Sequence, residues 1–278
     1  MIEALAADYH VAGLGQQPSP EWLPDSASWY EANLLEPESL RDLPGDWFAT
    51  IHLAGITVPS AFGDESAVEQ NVKMTRNLLE FIETDRFLLA SSALVYSPTK
   101  EPVSESSKVG PQGPYGRSKA LCEEVVRSFS GRLKVRIARP FNHIGPGMQP
   151  ALAIPSILRR VASARGSTGP IDMLGRDSVR DFVDVRDVVS AYIRLINTEA
   201  GENTFNVCTG RPTSIRMVVQ AALDVLGLDR EIRFADRSMS GDDSDYLVGD
   251  ASRLRELTGW KPNYCLEDSI ADMVSINA

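Results

Sequence analysis

The sequence has few of the residues that build disulfide frameworks and metal sites. Its 278 residues include only three histidines and three cysteines, which are Cys122, Cys208 and Cys265. The cysteines lie too far apart for a disulfide framework or a metal knuckle, so we interpret them as buried apolar residues in a reducing compartment. The histidines show no spacing typical of metal ligands, and we expect no metal site.

Positive charge and long apolar segments are scarce as well. The formal net charge of −10 argues against a protein that binds along a nucleic-acid backbone. No apolar run approaches the ~18 residues needed to span a membrane. The first residues lack the basic, apolar and small-residue order of a signal peptide. We therefore expect a cytoplasmic protein without a nucleic-acid or membrane partner.

Short apolar runs alternate with helical patterns along the chain. Four runs without polar alternation predict strands that helices cover on both faces, at residues 48–55, 86–92, 134–140 and 204–210. Apolar residues at helical spacing predict helices at residues 65–83, 115–129, 185–197 and 214–226. Ser214 and Gly227 are a start and a stop signal for the last of these helices. The alternation predicts an α/β fold with a doubly wound parallel sheet.

The segment PYGRSKA carries the strongest local signal for chemistry. It places Tyr115 and Lys119 four residues apart, so both side chains lie on one face of a predicted helix. An ammonium near a phenol favours the phenolate, so we expect Lys119 to lower the pKa of Tyr115 from about 10. A tyrosine tuned in this way can exchange a proton with a carbonyl or carbinol oxygen. The spacing alone also suits a surface tyrosine beside an unrelated lysine.

Hydroxyl, amide and proline residues follow two of the predicted strands. Ser91 and Ser92 end one strand, where a hydroxyl can polarise a substrate carbonyl or simply end the strand. Pro140 and Asn142 end the next one along the chain. Because ligands bind at the carboxyl ends of the strands in a doubly wound sheet, we expect these residues near one site. His52 lies inside an apolar strand, and we interpret it as a core histidine bonded to the backbone.

These motifs together resemble the extended short-chain dehydrogenases/reductases (the NAD-dependent epimerase/dehydratase family) that act on nucleotide sugars. The resemblance covers nearly the whole chain. Its landmarks, in order, are NLLEPESL (33–40), IHLAG (51–55), QNVKMTRNLL (70–79), SSALVYS (91–97), GRDSVRDFVDVRDVVSAY (175–192), FNVCTG (205–210) and DASRLRELTGWKP (250–262). So many matches in the right order and spacing make an accidental resemblance very improbable.

The resemblance implies a role for each matching residue. Tyr115 would donate a proton to a keto oxygen, Lys119 would hold the nicotinamide ribose, and Ser92 would bond the keto oxygen. The cofactor, NADP or NAD, would contact Asn33, Leu34, Leu53, Ala54, Gly55, Asn71, Tyr115, Lys119 and Pro140. The nucleotide sugar would contact Ser92, Asn142, His143, Arg180 and Arg237. A homodimer through the helices at residues 65–83 and 115–130 is also implied.

The same resemblance implies a Rossmann-like dinucleotide-binding domain joined to a smaller lobe. The sequence pattern loosens after about residue 142, where Pro/Gly-rich stretches and shorter elements follow. We expect residues 1–141 with 183–210 to form the dinucleotide-binding domain. Residues 142–182 with 211–278 are expected to form a smaller α/β lobe that binds the nucleotide sugar.

Within this family, RPFNHIGPG (139–147) and NVCTG (206–210) look most like the GDP-4-keto-6-deoxy-mannose reductases, which make GDP-rhamnose. Ala93 and Leu94 follow Ser92, where dehydratases of the family carry acidic residues and epimerising reductases carry a cysteine. Simple 4-keto reduction and 4-epimerisation with tightly bound NAD therefore remain, with a sugar-nucleotide-binding relic as a third alternative. Gln16 and Gln17 offer neither a carboxylate nor a cation, so NAD and NADP both remain possible.

The first fifteen residues correspond to the family's first helix and second strand. The strand and the G-x-x-G-x-x-G turn that precede that helix in the family have no counterpart in this sequence. The strand lies in the middle of the family's sheet, so two interior strand edges would be left unpaired. We expect the chain to be a shortened version of a longer protein, with reduced cofactor affinity if it truly starts at Met1.

Overall fold

Strands and helices alternate along the chain in a computed structural model, which describes residues 1–57, 64–173, 178–199, 203–234 and 246–276. The helices of these residues are α1 (Ile2–Leu5), α2 (Glu65–Phe81), α3 (Pro114–Ser128), α4 (Ala153–Ser163), α5 (Val185–Ile196), α6 (Ile215–Leu226), α7 (Ser252–Thr258) and α8 (Leu266–Ile276). The strands are β1 (Val11–Gly15), β2 (Ala27–Glu31), β3 (Trp47–His52), β4 (Thr84–Ala90), β5 (Lys134–Pro140), β6 (Asn142–Ile144), β7 (Ile171–Met173), β8 (Val179–Arg180), β9 (Phe182–Asp184), β10 (Thr204–Val207), β11 (Thr213–Ser214), β12 (Ile232–Phe234) and β13 (Tyr246–Leu247).

A four-stranded parallel sheet forms the centre of the fold, in the order β10-β5-β4-β3. Its register pairs His52 with Leu89, Ala90 with Ala138, and Val207 with Pro140, so the carboxyl ends of these strands meet at one edge. The central strand β4 is fully buried at residues 87–89, as expected for a sheet covered on both faces. The predicted doubly wound α/β fold is confirmed.

The sheet is interrupted next to β3. Strands β1 and β2 pair in parallel with each other but with no other strand of the described residues. A cavity of about 330 Å³ lies between β1 and β3, lined by apolar side chains that include Val11, Leu14, Ala49 and Ile51. Each of these two strands therefore has an edge that no described strand pairs with, as the sequence predicts.

Helix α6 begins and ends where its sequence signals predict, whereas α2 ends at Phe81, two residues before the predicted end. Ser214 caps α6, because its side chain accepts a hydrogen bond from the Met217 amide, and Gly227 ends the helix in the left-handed conformation at φ 64°. Asp64 caps α2 by accepting from the Ser66 amide. The predicted strand at 204–210 is shorter than expected, since β10 ends at Val207.

Three groups of buried apolar side chains hold the elements together. The first lies between the sheet and α2 and α3, with Leu79 and Val126 at its centre. Another packs α5 and α7 on the opposite face of the sheet, around Leu195 and Trp260. A third joins α4, α6 and α8 with β7 and β9, around Val161. The lobe boundaries predicted from the sequence stay a prediction.

Candidate active site

Helix α3 presents Tyr115 and Lys119 to the carboxyl end of β4. Lys119 is buried, and its Nζ donates a hydrogen bond to the Ala90 carbonyl oxygen at 2.9 Å. The same Nζ lies 5.9 Å from the centroid of the Tyr115 ring. Four-residue spacing on one helix thus brings the phenol and the ammonium to the same strand end, as predicted.

Ser92 follows β4 by two residues and lies against Tyr115. Its side chain caps the 3₁₀ turn Ala93–Val95 by accepting from the Leu94 amide at 3.1 Å, and it hydrogen-bonds the Tyr115 side chain. Gly116 permits this approach, because a Cβ at that position would overlap the Leu94 carbonyl oxygen. The glycine after Tyr115 therefore has a packing reason to be there.

The expected lowering of the Tyr115 pKa by Lys119 is wrong for this structure. Burial raises the pKa of Tyr115 to about 12, and the hydrogen bond with Ser92 acts against this only in part. Burial also lowers the pKa of Lys119. Desolvation penalises the charged forms of both groups, and at Tyr115 it outweighs the Ser92 hydrogen bond that favours the phenolate. Tyr115 is consequently a neutral phenol at neutral pH, the form that donates a proton.

Residues 53–55 follow β3 and border Lys119. A Cβ at Gly55 would lie 3.5 Å from Lys119 Nζ and 3.5 Å from Asn71 Oδ1, so this backbone passes close to both side chains. Leu53 and Ala54 are exposed. The Asn71 amide holds the next residue, Ile56, because its Oδ1 accepts from the Ile56 amide at 2.7 Å. Asn71 thus positions the segment that the resemblance assigns to the cofactor.

Asn33 and Leu34 follow β2, beside the end of β1. The Asn33 Oδ1 accepts from Gln16 Nε2 at 2.8 Å, and its Nδ2 donates to Glu36 at 2.9 Å. Leu34 is buried, and its carbonyl oxygen accepts from Asn77 at 2.7 Å. The structure therefore brings both residues to the same edge of the molecule as Gln16.

The residues expected to contact the nucleotide sugar lie past the end of β5. Pro140 is the buried last residue of β5, and Asn142 and His143 are exposed in β6. Strand β6 pairs with β9, which directly follows Arg180 of β8 and Asp181 in sequence. Arg180 is half-buried, and its Nη1 donates to the Val179 carbonyl oxygen at 3.0 Å. Arg237 lies outside the described residues.

The described residues fit one end of a dinucleotide better than the other. Lys119 lies beside both Tyr115 and the backbone of Gly55, which has no side chain to fill the space next to the ammonium. This arrangement fits a nicotinamide ribose, whose hydroxyls need a hydrogen-bond donor such as Lys119. Gly13 and Gly15 lie in β1, and among the described residues no helix lies between β1 and β2, so this glycine pair does not lead into a helix N-terminus that could bind a phosphate.

His52 is buried, as predicted, but its partner differs from the prediction. Its Nε2 lies 3.1 Å from the Thr75 hydroxyl rather than against a backbone group. Burial, and to a lesser extent the charge of Lys119, lowers the pKa of His52 to about 3. The ring is therefore neutral at any pH at which the protein would be assayed.

Sequence reasoning missed a buried ion pair that lies one helical turn beyond Lys119. Glu123 and Arg139 face each other with side chains only 1% and 3% exposed, 2.6 Å apart. Two signals could have found the pair. Glu123 follows Lys119 by one further step of four residues, and Arg139 is a charge inside an apolar strand, where it needs a carboxylate partner.

The described part of the chain offers neither a metal site nor a membrane-spanning helix. No group of three His, Cys, Asp or Glu side chains there is arranged to hold a metal ion. No helix in the described ranges is long and apolar enough to cross a membrane.

Comparison with known proteins places this site in a family. The profile of the NAD dependent epimerase/dehydratase family matches residues 1–208. The chain belongs to that family. A family member from Pseudomonas aeruginosa, GDP-6-deoxy-D-mannose reductase, is 35% identical over 257 residues, which are 87% of this chain and 84% of the relative. UDP-glucose 4-epimerase from Bacillus subtilis is 28% identical, over 88% of this chain and 80% of that protein.

A solved structure extends the similarity to the fold. The structure of RMD from Pseudomonas aeruginosa complexed with NADPH superposes with a TM-score of 0.81 at 31% sequence identity, covering 99% of this chain and 93% of that one. The epimerase/dehydratase family is NAD(P)-dependent, and this chain is an oxidoreductase of that family, with NADP or NAD as its cofactor.

Proposed function

We propose that this protein reduces the 4-keto group of a nucleotide-linked 4-keto-6-deoxy sugar, as in the conversion of GDP-4-keto-6-deoxy-mannose to GDP-rhamnose. One observation carries the proposal. Tyr115, kept neutral by burial, shares a hydrogen bond with Ser92 and lies beside the Lys119 ammonium. Reduction of a ketone needs a proton donor at the oxygen, and a neutral phenol is that donor.

The roles of the three residues follow from their contacts. Tyr115 gives its phenolic proton to the keto oxygen, and Ser92 donates a second hydrogen bond to the same oxygen. Bound NADPH or NADH supplies the hydride that the carbonyl carbon needs. Lys119, held by the Ala90 carbonyl oxygen, stabilises the tyrosinate left after proton transfer and bonds the ribose hydroxyls.

The residues beside Ser92 favour reduction over elimination. The side chains of Ala93 and Leu94 carry no basic group, so neither can remove a proton from a sugar carbon. Similarity favours reduction over epimerisation, because the GDP-6-deoxy-D-mannose reductase of Pseudomonas aeruginosa is 35% identical, against 28% for the Bacillus subtilis epimerase.

The nucleotide sugar is proposed to bind against the smaller lobe. Asn142 and His143 are exposed just beyond Pro140, and Arg180 follows in the adjoining β8. An arginine suits a diphosphate because its guanidinium donates two parallel hydrogen bonds. In this proposal Asn142, His143 and Arg180 contact the nucleotide sugar, and the lobe formed by residues 142–182 with 211–278 holds it. The cofactor is proposed to contact Asn33, Leu34 and residues 53–55.

A direct assay tests the proposed reduction. The folded protein is mixed with GDP-4-keto-6-deoxy-mannose and NADPH or NADH, and the loss of reduced-cofactor absorbance is followed. We expect oxidation of one or both cofactors, and none with GDP-mannose, which has no keto group. A folded protein that oxidises neither cofactor with the keto sugar would contradict the proposal.

A 4-epimerase is the second candidate, favoured by the similarity to UDP-glucose 4-epimerase from Bacillus subtilis. An epimerase retains its NAD through the cycle, whereas a reductase consumes one reduced cofactor per turnover. Mass spectrometry of the purified protein and product analysis with UDP-glucose separate the two. Copurified NAD together with interconversion of UDP-glucose and its 4-epimer would favour the epimerase.

A homodimer and a cytoplasmic location complete the proposal. Helices α2 and α3 pack side by side on one face of the sheet, which makes their outer surface a candidate for a two-fold helix interface. Size-exclusion chromatography with light scattering tests the dimer, and a monomer at all concentrations would contradict it. Fractionation of the native cells tests the location.

A further inference from the structure

Helix α3 carries a third polar residue in line with the two catalytic ones. Tyr115, Lys119 and Glu123 follow one another at intervals of four residues, so their side chains form one stripe along the helix. Lys119 and Glu123 are buried, although charged side chains rarely are. A buried charge at this position needs partners, and these lie at the end of β4 and in β5.

Residues 90–92 at the end of β4 supply one partner to each member of the stripe. Ser92 hydrogen-bonds the phenol, as described above. The Ala90 carbonyl oxygen accepts from Lys119 Nζ at 2.9 Å. Between them, the Ser91 hydroxyl donates to Glu123 Oε1 at 2.5 Å. Three consecutive residues of the strand end are therefore fixed to three successive turns of the catalytic helix.

Glu123 is itself held rigidly. Arg139 of β5 donates from Nε to Oε1 at 2.8 Å and from Nη2 to Oε2 at 2.6 Å, which is the paired geometry of a strong ion pair. Arg127 donates to the same carboxylate at 2.9 Å. Burial acts to raise the pKa of Glu123, but its hydrogen bonds with Arg139 prevail and lower that pKa, so the group is ionised. The carboxylate joins α3 to two adjacent strands.

We infer that Ser91 and Glu123 are positioning residues for the catalytic tyrosine and lysine. The Ser91–Glu123 hydrogen bond fixes the backbone of residues 90–92, which sets the place of the Ala90 carbonyl oxygen and of the Ser92 hydroxyl. Neither Ser91 nor Glu123 reaches the substrate in this account; they act through their neighbours. The inference rests on the proposed function in one respect, because the effect on kcat is expected for the proposed 4-keto reduction.

Ser91→Ala is the variant that tests the inference. It removes the hydrogen bond between residue 91 and Glu123 but leaves the Glu123–Arg139 ion pair intact. Glu123→Gln, by contrast, would leave the buried Arg139 guanidinium without a carboxylate partner and would endanger folding. We expect kcat for 4-keto reduction to fall about ten- to a hundredfold, because small misplacements of catalytic groups have effects of that size. The KM for the nucleotide sugar is expected to stay within about twofold, since Ser92 is one of several proposed contacts and Asn142, His143 and Arg180 lie in other elements.

A second measurement does not depend on activity. The pKa of Lys119 is measured by ¹³C NMR, with its signal assigned among the six lysines by its loss in Lys119→Met. A hydrogen bond from the ammonium to the Ala90 carbonyl favours the charged form, so loosening the strand end in Ser91→Ala lowers the Lys119 pKa further. The titratable groups that face Lys119 are Tyr115 on its own helix, His52 of β3 and Cys122, and none of them is replaced in this variant.

Ser269→Ala is the matched control. Ser269 is buried like Ser91 and donates to a buried carboxylate, Asp184, at 2.6 Å, but this contact joins α8 to β9 rather than α3 to the end of β4. We expect a similar loss of thermal stability in both variants, with kcat and the Lys119 pKa unchanged only in Ser269→Ala.

Each result decides between the claims. Unchanged kcat and an unchanged Lys119 pKa in Ser91→Ala would overturn the inference, and so would equal losses of kcat in the two serine variants. A wild-type protein that reduces no keto sugar would overturn the proposed function, while a lower Lys119 pKa in Ser91→Ala would still support the positioning role.

Discussion

Replacement of Tyr115 by phenylalanine removes one hydroxyl and little else. Two magnitudes set the expected effect, the rate contribution of a general acid and the stability contribution of one hydrogen bond. A positioned general acid contributes about 10²–10⁴ in rate, or roughly 3–5 kcal/mol of transition-state stabilisation at about 1.4 kcal/mol per tenfold. The hydroxyl makes a hydrogen bond with Ser92, worth about 0.5–1.5 kcal/mol of net stability. Tyr115→Phe is therefore expected to lose catalysis far out of proportion to stability.

The assay compares kcat and thermal unfolding of the same preparations. With GDP-4-keto-6-deoxy-mannose and NADPH, we expect kcat of Tyr115→Phe to fall by about 10²–10⁴. The Tm should drop by only a few degrees, roughly 2–4 °C per kcal/mol for a chain of this size. A kcat near that of the wild type would refute the assigned proton donor. A loss of activity matched by a large loss of Tm would refute the argument that the hydroxyl acts in catalysis rather than in folding.

Two further predictions concern stability. The pKa of His52 is about 3 in the folded protein against an ordinary value of 6.5. Below pH 6.5 the unfolded chain binds a proton that the folded protein does not, so the unfolding free energy falls as the pH is lowered toward 3. His52→Gln should therefore lose about 2–3 kcal/mol less than the wild type in unfolding free energy between pH 7 and about 4.5, measured by urea titration; equal losses would contradict this. Gly13→Ala would place a Cβ 2.5 Å from the Trp29 ring, which a hydrogen bond to Gln17 holds in place. We expect about 1–3 kcal/mol of destabilisation in the same titration, and an unchanged midpoint would contradict the packing.

The elements of the sheet could be predicted from sequence because their signals are local. Apolar runs without alternation identified β3, β4, β5 and β10, and the spacing of apolar residues identified α2, α3, α5 and α6. The β10 boundary was missed by three residues because the apolar run continues through Cys208, beyond the end of the strand pairing. Strand ends depend on pairing with a neighbour, which no single sequence window contains.

The proximity of Tyr115, Lys119 and Ser92 was predicted from the sequence, but their electrostatics were not. Spacing placed Tyr115 and Lys119 on one helix face, and the structure brings them to Ser92. The direction of the Tyr115 pKa was wrong because the argument counted the charge of Lys119 and left out the cost of burying the phenolate. The extent of burial is set by residues far apart in sequence, so it follows only from the fold.

The Glu123–Arg139 pair shows the same limit from another side. In the sequence neither Glu123 nor Arg139 shows which residue it pairs with. The fold places the two side chains 2.6 Å apart and brings the Ser91 hydroxyl to the same carboxylate. The positioning role inferred for Ser91 and Glu123 depends on this arrangement. Charged residues inside otherwise buried stripes are the signal that would have pointed to the pair.

Transfer of a deuteride tests the central claim most directly. The protein is incubated with GDP-4-keto-6-deoxy-mannose and NADPH deuterated at C4 of the nicotinamide, and the product sugar is examined by NMR and mass spectrometry. The account predicts one deuterium, located at C4 of a 6-deoxy sugar, and much slower transfer in Tyr115→Phe. A product without deuterium at C4, or interconversion of two epimers without consumption of cofactor, would contradict it.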